Sequence, residues 1–510
     1  MEVFSSPIIE INNKVNPDIT FDFLQENEEF GILDLKANKS PVTTADTLFL
    51  FTIDITGSMN ERVNRSSTKL AIVKHAFMSM TQYLSTVDAP IYLRIHCFNS
   101  KVTVLMDTIS IKNKEGLATL YDKINSLFAD YSTDIGLALT EATKYMDEYT
   151  EENPSHQICH VFMTDGNATT GITQDSALCD LVSDRHASIF IGFGNDHNIR
   201  LMKQMTNRPK SFYQYINDME DTAIIYGESI HQYLYPAVRN VEIKFTGCLV
   251  YDWKNNVWTD CIKESIISSE ASKIYQVKKV RGDSSYATIY GIPYWSTTNE
   301  PECIDVVNEL PKLINCETNL ENVVDLTKYM MRQKTQELLF DAKSTEDRTD
   351  IFNIKKKLRT LFNLLRKYMK DSDMLEDGFM KQLCDDVCIT YRNIGTNTGN
   401  MFIMARYTSQ GRQQAYAPTP RSSSRSRPDS PEPPAPRTGL QRSLTSSIRS
   451  FPAMDDNVFD GLPVVENQNM DAPEISDSEI DTYVITGNTT SCYANDATLN
   501  TMSQMTQHYP

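Results

Sequence analysis

A short apolar run that ends in oxygen-bearing side chains constrains this chain more than any other feature. Residues 48–53 read Leu-Phe-Leu-Phe-Thr-Ile, which is typical of a strand that a sheet buries on both faces. Asp54, Thr56 and Ser58 follow at alternate positions, and a tight turn at Gly57 would direct their side chains toward one point. Carboxylate and hydroxyl oxygens suit a hard divalent cation, of which Mg2+ is the natural choice.

Strands and helices alternate regularly over residues 47–235. Further apolar strands are predicted at 158–163, which Asp165 follows closely, and at 187–193. This alternation predicts an α/β domain with a doubly wound, mostly parallel sheet of the Rossmann-like type. Ligands of such sheets bind beyond the carboxyl ends of the strands, and both Asp54 and Asp165 occupy that kind of position.

Composition and periodicity divide the chain into five segments. They are 1–46, the N-terminal strands of a β-sandwich; 47–235, the α/β domain; 236–300, the strands that complete the sandwich; 301–407, a helical C-terminal bundle; and 408–510, a disordered tail. The α/β domain is therefore expected as an insertion in the sandwich. The tail is rich in Ser, Pro and Arg at first and acidic later, a composition that buries too little apolar surface to fold. Its candidate phosphorylation sites are Ser430, Ser476 and Ser478.

Composition also limits the function classes. A net charge of -18 over 510 residues disfavours a nucleic-acid binder, because phosphate neutralisation needs clustered Lys and Arg. We expect at most a weak nucleic-acid contact through the Arg-rich tail. Ten scattered cysteines without paired spacing indicate reduced core residues. The sequence shows no secretory signal and no membrane span, so we expect a cytoplasmic or otherwise intracellular protein, or a virion component if the source is a virus.

A third hydroxyl-bearing position, directly before a predicted helix, completes a set of five residues. The set is Asp54, Thr56, Ser58, Thr133 and Asp165. In order, spacing and strand-end context it resembles the metal-ion-dependent adhesion site (MIDAS) of the von Willebrand factor A (vWA) domain family. That family uses an Asp-x-Ser-x-Ser loop, a later Thr and a later Asp. The resemblance covers about residues 47–235 and is specific because the five positions occur together.

The resemblance implies a role for each of the five residues. Thr56, Ser58 and, in the open form of the domain, Thr133 would contact the ion directly, whereas Asp54 and Asp165 would act mostly through water. The ion, Mg2+ or alternatively Mn2+ or Ca2+, would then stay electrophilic, since charged groups remain outside its direct coordination. A protein ligand would complete the coordination by donating an Asp or Glu carboxylate. Thr56 departs from the family, in which Ser is commoner, but it keeps the hydroxyl.

The flanking segments extend the resemblance. Some intracellular vWA proteins carry β-strands on both sides of the domain, and segments 1–46 and 236–300 resemble that arrangement. Some of those proteins are attached to ubiquitin-ligase RING domains, whose cysteine–histidine pattern does not occur in this sequence. The resemblance therefore implies a non-enzymatic, metal-dependent interaction module or adaptor, with no ligase activity of its own.

Two other function classes remain open on the sequence alone. One is a structural scaffold or virion-associated component, which the long tail would suit. The other is a phosphoryl-transfer enzyme that uses Asp54 as nucleophile, because the residues from Asp54 to Gly57 also resemble an aspartyl-phosphate loop. That chemistry needs a Lys on a later strand and a further acidic pair, for which residues 192–196 are a poor match. The absence of a Walker-type glycine-rich loop leaves nucleotide hydrolysis without support.

Overall fold

A computed structural model gives the architecture of the chain. It describes residues 9–15, 28–62, 67–194, 197–208, 210–216, 219–280, 285–296, 300–308, 326–345, 347–420, 479–487 and 489–507. The candidate phosphorylation sites Ser430, Ser476 and Ser478 lie outside the described residues, and so does the Arg-rich and acidic stretch 421–478.

Within the described residues, the strands form three sheets, with helices around and beyond them. The strands are β1 (Ile9–Val15), β2 (Glu28–Ala37), β3 (Thr47–Asp54), β4 (Ile91–Phe98), β5 (Val102–Ser110), β6 (Gln157–Thr164), β7 (Ala187–Phe193), β8 (Ser211–Ile216), β9 (Pro236–Thr246), β10 (Cys248–Asp252), β11 (Val257–Thr259), β12 (Cys261–Ser268), β13 (Ser272–Val280), β14 (Tyr286–Pro293) and β15 (Glu302–Asn308). The helices are α1 (Lys69–Thr86), α2 (Lys114–Asn125), α3 (Ile135–Glu152), α4 (Asp175–Cys179), α5 (Ile199–Met205), α6 (Met219–Leu234), α7 (Leu326–Ser344), α8 (Arg348–Asp371), α9 (Gly378–Asn393), α10 (Asn397–Arg412), α11 (Glu479–Thr482) and α12 (Asp496–Gln507).

The central sheet has six strands in the order β5-β4-β3-β6-β7-β8. Neighbouring strands pair in parallel except β5, which is antiparallel to β4. β3 lies in the middle and is buried along its whole length. Phe49 and Phe51 pack in one core with α1 and α6, whereas Leu50 packs with α3 on the opposite face. The predicted doubly wound α/β sheet is thus confirmed, and burial on both faces explains the continuous apolar run.

The central domain is inserted between β2 and β9, which both belong to a β-sandwich. One sheet of the sandwich has the order β1-β2-β13-β10-β11, and the other has the order β12-β9-β14-β15. Leu33 and Leu35 of β2 share a core with Val241 and Ile243 of β9, so the two sheets close on each other around the insertion. β15 pairs with β14, and the sandwich therefore extends beyond the predicted limit at residue 300.

A helical region made of α7, α8, α9 and α10 follows the sandwich. An apolar stripe of α8 faces the core of this region, where the buried residues are Ile354, Leu358, Leu361 and Leu365. Asp347 caps α8 by accepting backbone N–H groups of its first turn. A buried ion pair between Asp386 of α9 and Arg406 of α10 joins these two helices, and each charge depends on the other because neither reaches water.

The disordered tail predicted from residue 408 onward needs correction in two places. α10 continues to Arg412, beyond the predicted boundary at residue 407. The chain also returns near its C-terminus, where it pairs with the segment that follows α10. The N–H of Ala417 donates to the carbonyl oxygen of Thr489 at 2.8 Å, and the N–H of Ser491 donates to the carbonyl oxygen of Ala415 at 2.7 Å.

α12 shows why composition alone was misleading for this part of the chain. Leu499, Met502 and Met505 recur every third residue and pack in the core that α1 and α6 share. The other residues of α12 are small or polar, so the average composition of the segment hides a helical stripe. Three apolar residues on one face are enough to dock a short helix on an existing core.

The described cysteines are free thiols, and Cys303 and Cys492 are exposed, so the prediction of core positions does not hold for these two. The buried ones are Cys97, Cys159, Cys179, Cys248, Cys384 and Cys388. In the part of the chain that the structure describes, no helix combines the length and the apolar character that crossing a membrane requires.

Gly227 provides a test of how α12 docks. A Cβ at this position of α6 would lie 2.9 Å from the Cα of Met502, a backbone atom of α12 that cannot rotate aside. Replacing an interior helix glycine by alanine normally stabilises a protein by about 1 kcal/mol. We expect Gly227→Ala instead to lower the free energy of unfolding by about 1–3 kcal/mol in urea denaturation, because the helices must separate.

Gly378→Ala is the matched control, since no atom lies within 4 Å of a Cβ built there. This substitution should leave the free energy of unfolding unchanged or raise it slightly. Equal effects of the two substitutions would contradict the packing of α12 against α6.

Candidate metal centre

The register of β3 and β6 brings the ends of these two strands side by side. Ile53 pairs with Met163, so Asp54 and Thr164 are the last residues of neighbouring parallel strands. The Thr164 hydroxyl donates to Oδ2 of Asp54 at 2.6 Å, and the backbone N–H of Thr56 donates to Oδ1 at 2.8 Å. Both oxygens of this fully buried carboxylate are therefore held in place.

A short 3-10 turn, Gly57–Asn60, directs Ser58 toward the end of β6. The Ser58 hydroxyl donates to Oδ1 of Asp165 at 2.7 Å. The hydroxyl oxygens of Thr56 and Ser58 are 3.1 Å apart. Asp165 is as fully buried as Asp54. The loop after β3 and the loop after β6 thus meet through these three side chains.

The segment that carries Thr133 is held against the same turn by backbone hydrogen bonds. The N–H of Gly57 donates to the carbonyl oxygen of Tyr131 at 3.1 Å. On its other side, Thr133 donates its N–H to the hydroxyl of Thr169 at 2.8 Å, which ties it to the loop after β6. Within the described residues the Thr133 hydroxyl makes no hydrogen bond, so its oxygen is free to bind a ligand. The segment has an unusual backbone, since Tyr131 adopts a positive φ of 66°.

The two carboxylates repel each other in a site that excludes water. Burial, together with the nearby charge of Asp165, raises the pKa of Asp54 to about 6, although the hydrogen bonds from Thr164 and Thr56 oppose this rise. Buried charges are retained in proteins only when they are paired or bound to a cation. The cluster therefore needs positive charge close to both aspartates.

Lys69, which sequence reasoning missed, supplies part of that charge. It is the first residue of α1 and is only 5% exposed. Its ammonium donates to Oδ2 of Asp165 at 2.8 Å and to Oε2 of Glu61 at 2.6 Å. Burial lowers the pKa of Lys69, but its bonds to the two carboxylates outweigh burial and leave that pKa raised. No spacing rule links Lys69 to Asp165, so only the fold reveals the pair.

The donor set fits a hard divalent cation. The hydroxyls of Thr56 and Ser58 meet the carboxylate of Asp165 here, and backbone contacts hold the segment of Thr133 against the same loops. Oxygen ligands of this kind suit Mg2+, Mn2+ or Ca2+. Among the described residues, no group of three or more His, Cys, Asp and Glu side chains could hold a metal ion.

The geometry disfavours the phosphoryl-transfer alternative. Asp54 is fully buried and both of its oxygens accept hydrogen bonds, so neither is presented to a phosphoryl donor. The lysine beside the cluster lies at the start of α1, whereas the alternative requires it on a later strand. Its ammonium contacts Asp165 and Glu61.

Solved structures share this fold. A von Willebrand factor type A protein from Catenulispora acidiphila matches at 12% identity with a TM-score of 0.54, over 79% of this chain and 95% of that one. The ArnB paralog VWA2 from Sulfolobus acidocaldarius matches at 13% identity with a TM-score of 0.50, over 79% of this chain and 99% of that one. No family model matches the sequence, and no curated protein matches it. At these identities the likeness shows the fold.

Thr164→Val tests the internal support of the cluster. The substitution keeps the shape of the side chain but removes the donor to Asp54, which is left with an unsatisfied buried oxygen. We expect the free energy of unfolding at pH 7 to fall by about 1–3 kcal/mol in chemical denaturation.

Two further variants serve as controls. Thr164→Ser keeps the hydroxyl and should retain most of the stability. Thr103→Val makes the same change at an exposed position of β5 and should have little effect. If Thr164→Val were as stable as the unsubstituted chain, the bond to Asp54 would contribute nothing.

Proposed function

We propose that this chain, which has the von Willebrand factor A fold, is a metal-dependent protein-interaction module that captures an acidic residue of a protein partner. The observation that carries the proposal is the hydrogen-bonded convergence of three loops at the carboxyl ends of β3 and β6. Ser58 links the first loop to Asp165 at 2.7 Å, and the segment that carries Thr133 is bonded to the first loop through Tyr131 and to the loop after β6 through Thr169. The proposed metal site consists of Asp54, Thr56, Ser58, Thr133 and Asp165.

The hydroxyl-bearing and acidic residues of the site have different roles. Thr56, Ser58 and Thr133 offer hydroxyl oxygens, whereas Asp54 and Asp165 orient the neighbouring groups and supply negative charge. A bound divalent cation would supply a coordination position for one oxygen of the partner's carboxylate. Because hydroxyls are neutral ligands, the site would leave that cation attractive to an acidic side chain. Nothing in this arrangement requires a bond to be broken.

Exposed apolar side chains on the same loops support a protein as the partner. Phe128 is 70% exposed and Tyr131 is 63% exposed, and both lie between α2 and α3 beside Thr133. Ile172, on the loop after β6, is 41% exposed. Large apolar groups around a polar centre are typical of protein interfaces, in which aromatic residues carry much of the binding energy.

Metal binding is tested by titrating the full chain with MgCl2, MnCl2 or CaCl2 and measuring heat and thermal stability. A cation that binds the folded state alone stabilises it by about 2.7 kcal/mol at a free concentration one hundred times its dissociation constant. We therefore expect the unfolding temperature to rise with metal concentration. Ser58→Ala and Asp165→Asn should remove most of that rise.

Ser155→Ala, at an exposed turn before β6, is the matched control and should behave like the unsubstituted chain. A metal-dependent rise that survives both site variants would place the cation elsewhere. Absence of any binding to the unsubstituted chain would refute the metal-dependent function.

The carboxylate preference is tested with a random displayed-peptide library retained on the chain in MgCl2 and eluted by EDTA. We expect the retained peptides to carry Asp or Glu, and substitution of that residue by Asn or Gln to abolish retention. Tyr131→Ala should weaken peptide binding by on the order of tenfold while leaving the metal dissociation constant unchanged.

Tyr286→Ala, on β14 of the sandwich, is the control for loss of an exposed tyrosine. Peptides that bind equally in EDTA, or that need no acidic residue, would contradict the proposed mode of capture. Such a result would favour a scaffold role that does not use the site.

A further inference from the structure

We infer that Lys69 sets the cation affinity of the candidate metal centre, because its ammonium occupies one oxygen of Asp165 and offsets the charge that attracts a metal. The inference rests on the proposed metal-dependent function and names the residue of this chain that tunes it. A divalent cation would bind against the positive charge of Lys69, and the site would therefore be weaker than its two aspartates alone would make it.

Contacts with two carboxylates hold the ammonium of Lys69 in place. The ammonium lies 2.8 Å from Oδ2 of Asp165, the oxygen that Ser58 does not use. It also lies 2.6 Å from Oε2 of Glu61, whose side chain is 57% exposed. Lys69 therefore bridges a fully buried carboxylate and a carboxylate in water, and its charge is fixed at the edge of the cluster.

The backbone around Lys69 keeps the side chain in this position. The N–H of Lys69 donates to the carbonyl oxygen of Glu61 at 3.0 Å. Thr68 caps α1 by accepting the N–H of Ala71, which fixes where the helix begins. Gly194, with a φ of +66°, makes room for the stem, since a Cβ there would lie 3.2 Å from Cε of Lys69. The position of the ammonium thus depends on three separate segments.

The charges give the expected direction of the effect. The two fully buried carboxylates carry negative charge that the ammonium of Lys69 partly offsets, and Glu61 adds a further negative charge at the exposed edge of the cluster. Replacing Lys69 by a neutral side chain would remove this compensating charge and leave Oδ2 of Asp165 without its ammonium donor. The dissociation constant for a doubly charged cation a few ångströms away should then fall by about tenfold or more.

Lys74 provides a matched control on the same helix. Its ammonium donates to the backbone carbonyl oxygens of Asn125 and Leu127. Lys74→Met therefore removes one positive charge from α1 without freeing an oxygen of the cluster. A general effect of net charge would appear in both variants, whereas the proposed effect requires Lys69.

The experiment measures Mn2+ and Mg2+ dissociation constants by isothermal titration calorimetry for the full chain and its Lys69→Met, Lys69→Gln and Lys74→Met variants. We expect the Lys69 variants to bind Mn2+ at least tenfold more tightly and Lys74→Met to bind like the unsubstituted chain. Circular dichroism with and without Mn2+ checks folding. Lys69 variants that fold only with Mn2+ would also support the inference, since the metal would then replace the ammonium.

Other outcomes separate this inference from the proposed function. Equal or weaker binding by the Lys69 variants would overturn the role of Lys69 and leave the metal site intact. Lys69 variants that stay unfolded even with Mn2+ would also overturn the role of Lys69. Binding by the Lys69 variants alone would support the inference but overturn metal-dependent function in the natural chain. No binding by any of the four proteins would overturn both.

Discussion

Two carboxylates with no access to water determine much of what surrounds them in this structure. Asp54 and Asp165 lie at the ends of adjacent parallel strands, where the sheet buries them completely. Charges in such a place must be compensated by donors and by a cation. The hydroxyls of Thr164 and Ser58 and the ammonium of Lys69 supply part of that compensation. The ends of β3, β6 and α1 place these groups beside the two carboxylates.

Packing elsewhere in the fold fixes the positions of the loops that carry this cluster. β3 is covered on both faces by helices, so its last residue is fixed by packing. The sandwich closes on both sides of the insertion, because β2 leads into the central domain and β9 leads out of it. α12 adds a further layer over α1 and α6. A site held by loops can be accurate when rigid elements determine where those loops begin and end.

Local patterns in the sequence were enough to predict the elements that depend on local rules. The apolar run of β3 and the spacing of Asp54, Thr56 and Ser58 each express a pattern that one segment contains by itself. The chain order also placed Asp165 at a strand end, and the sheet register then joined it to Ser58.

Features that depend on distant partners could not be predicted in this way. Lys69 reads as an ordinary charged residue at the start of a helix, because its partner Asp165 is far away along the chain. The stripe of α12 is too short to stand out against its polar neighbours. β15 has no strong alternation, and it is defined by its pairing with β14. In each case the stabilising contact comes from another part of the fold.

The pairing of residues 415–417 with residues 489–491 changes the meaning of the stretch between them. Residues 421–478 read as a free end in the sequence, yet both of their boundaries are fastened to the same folded body. A single proteolytic cleavage in that stretch would therefore produce two polypeptides that remain associated in one folded structure. The two fragments would separate only when this structure unfolds, because the C-terminal fragment contributes Met502 and Met505 to the hydrophobic core that it shares with α1 and α6.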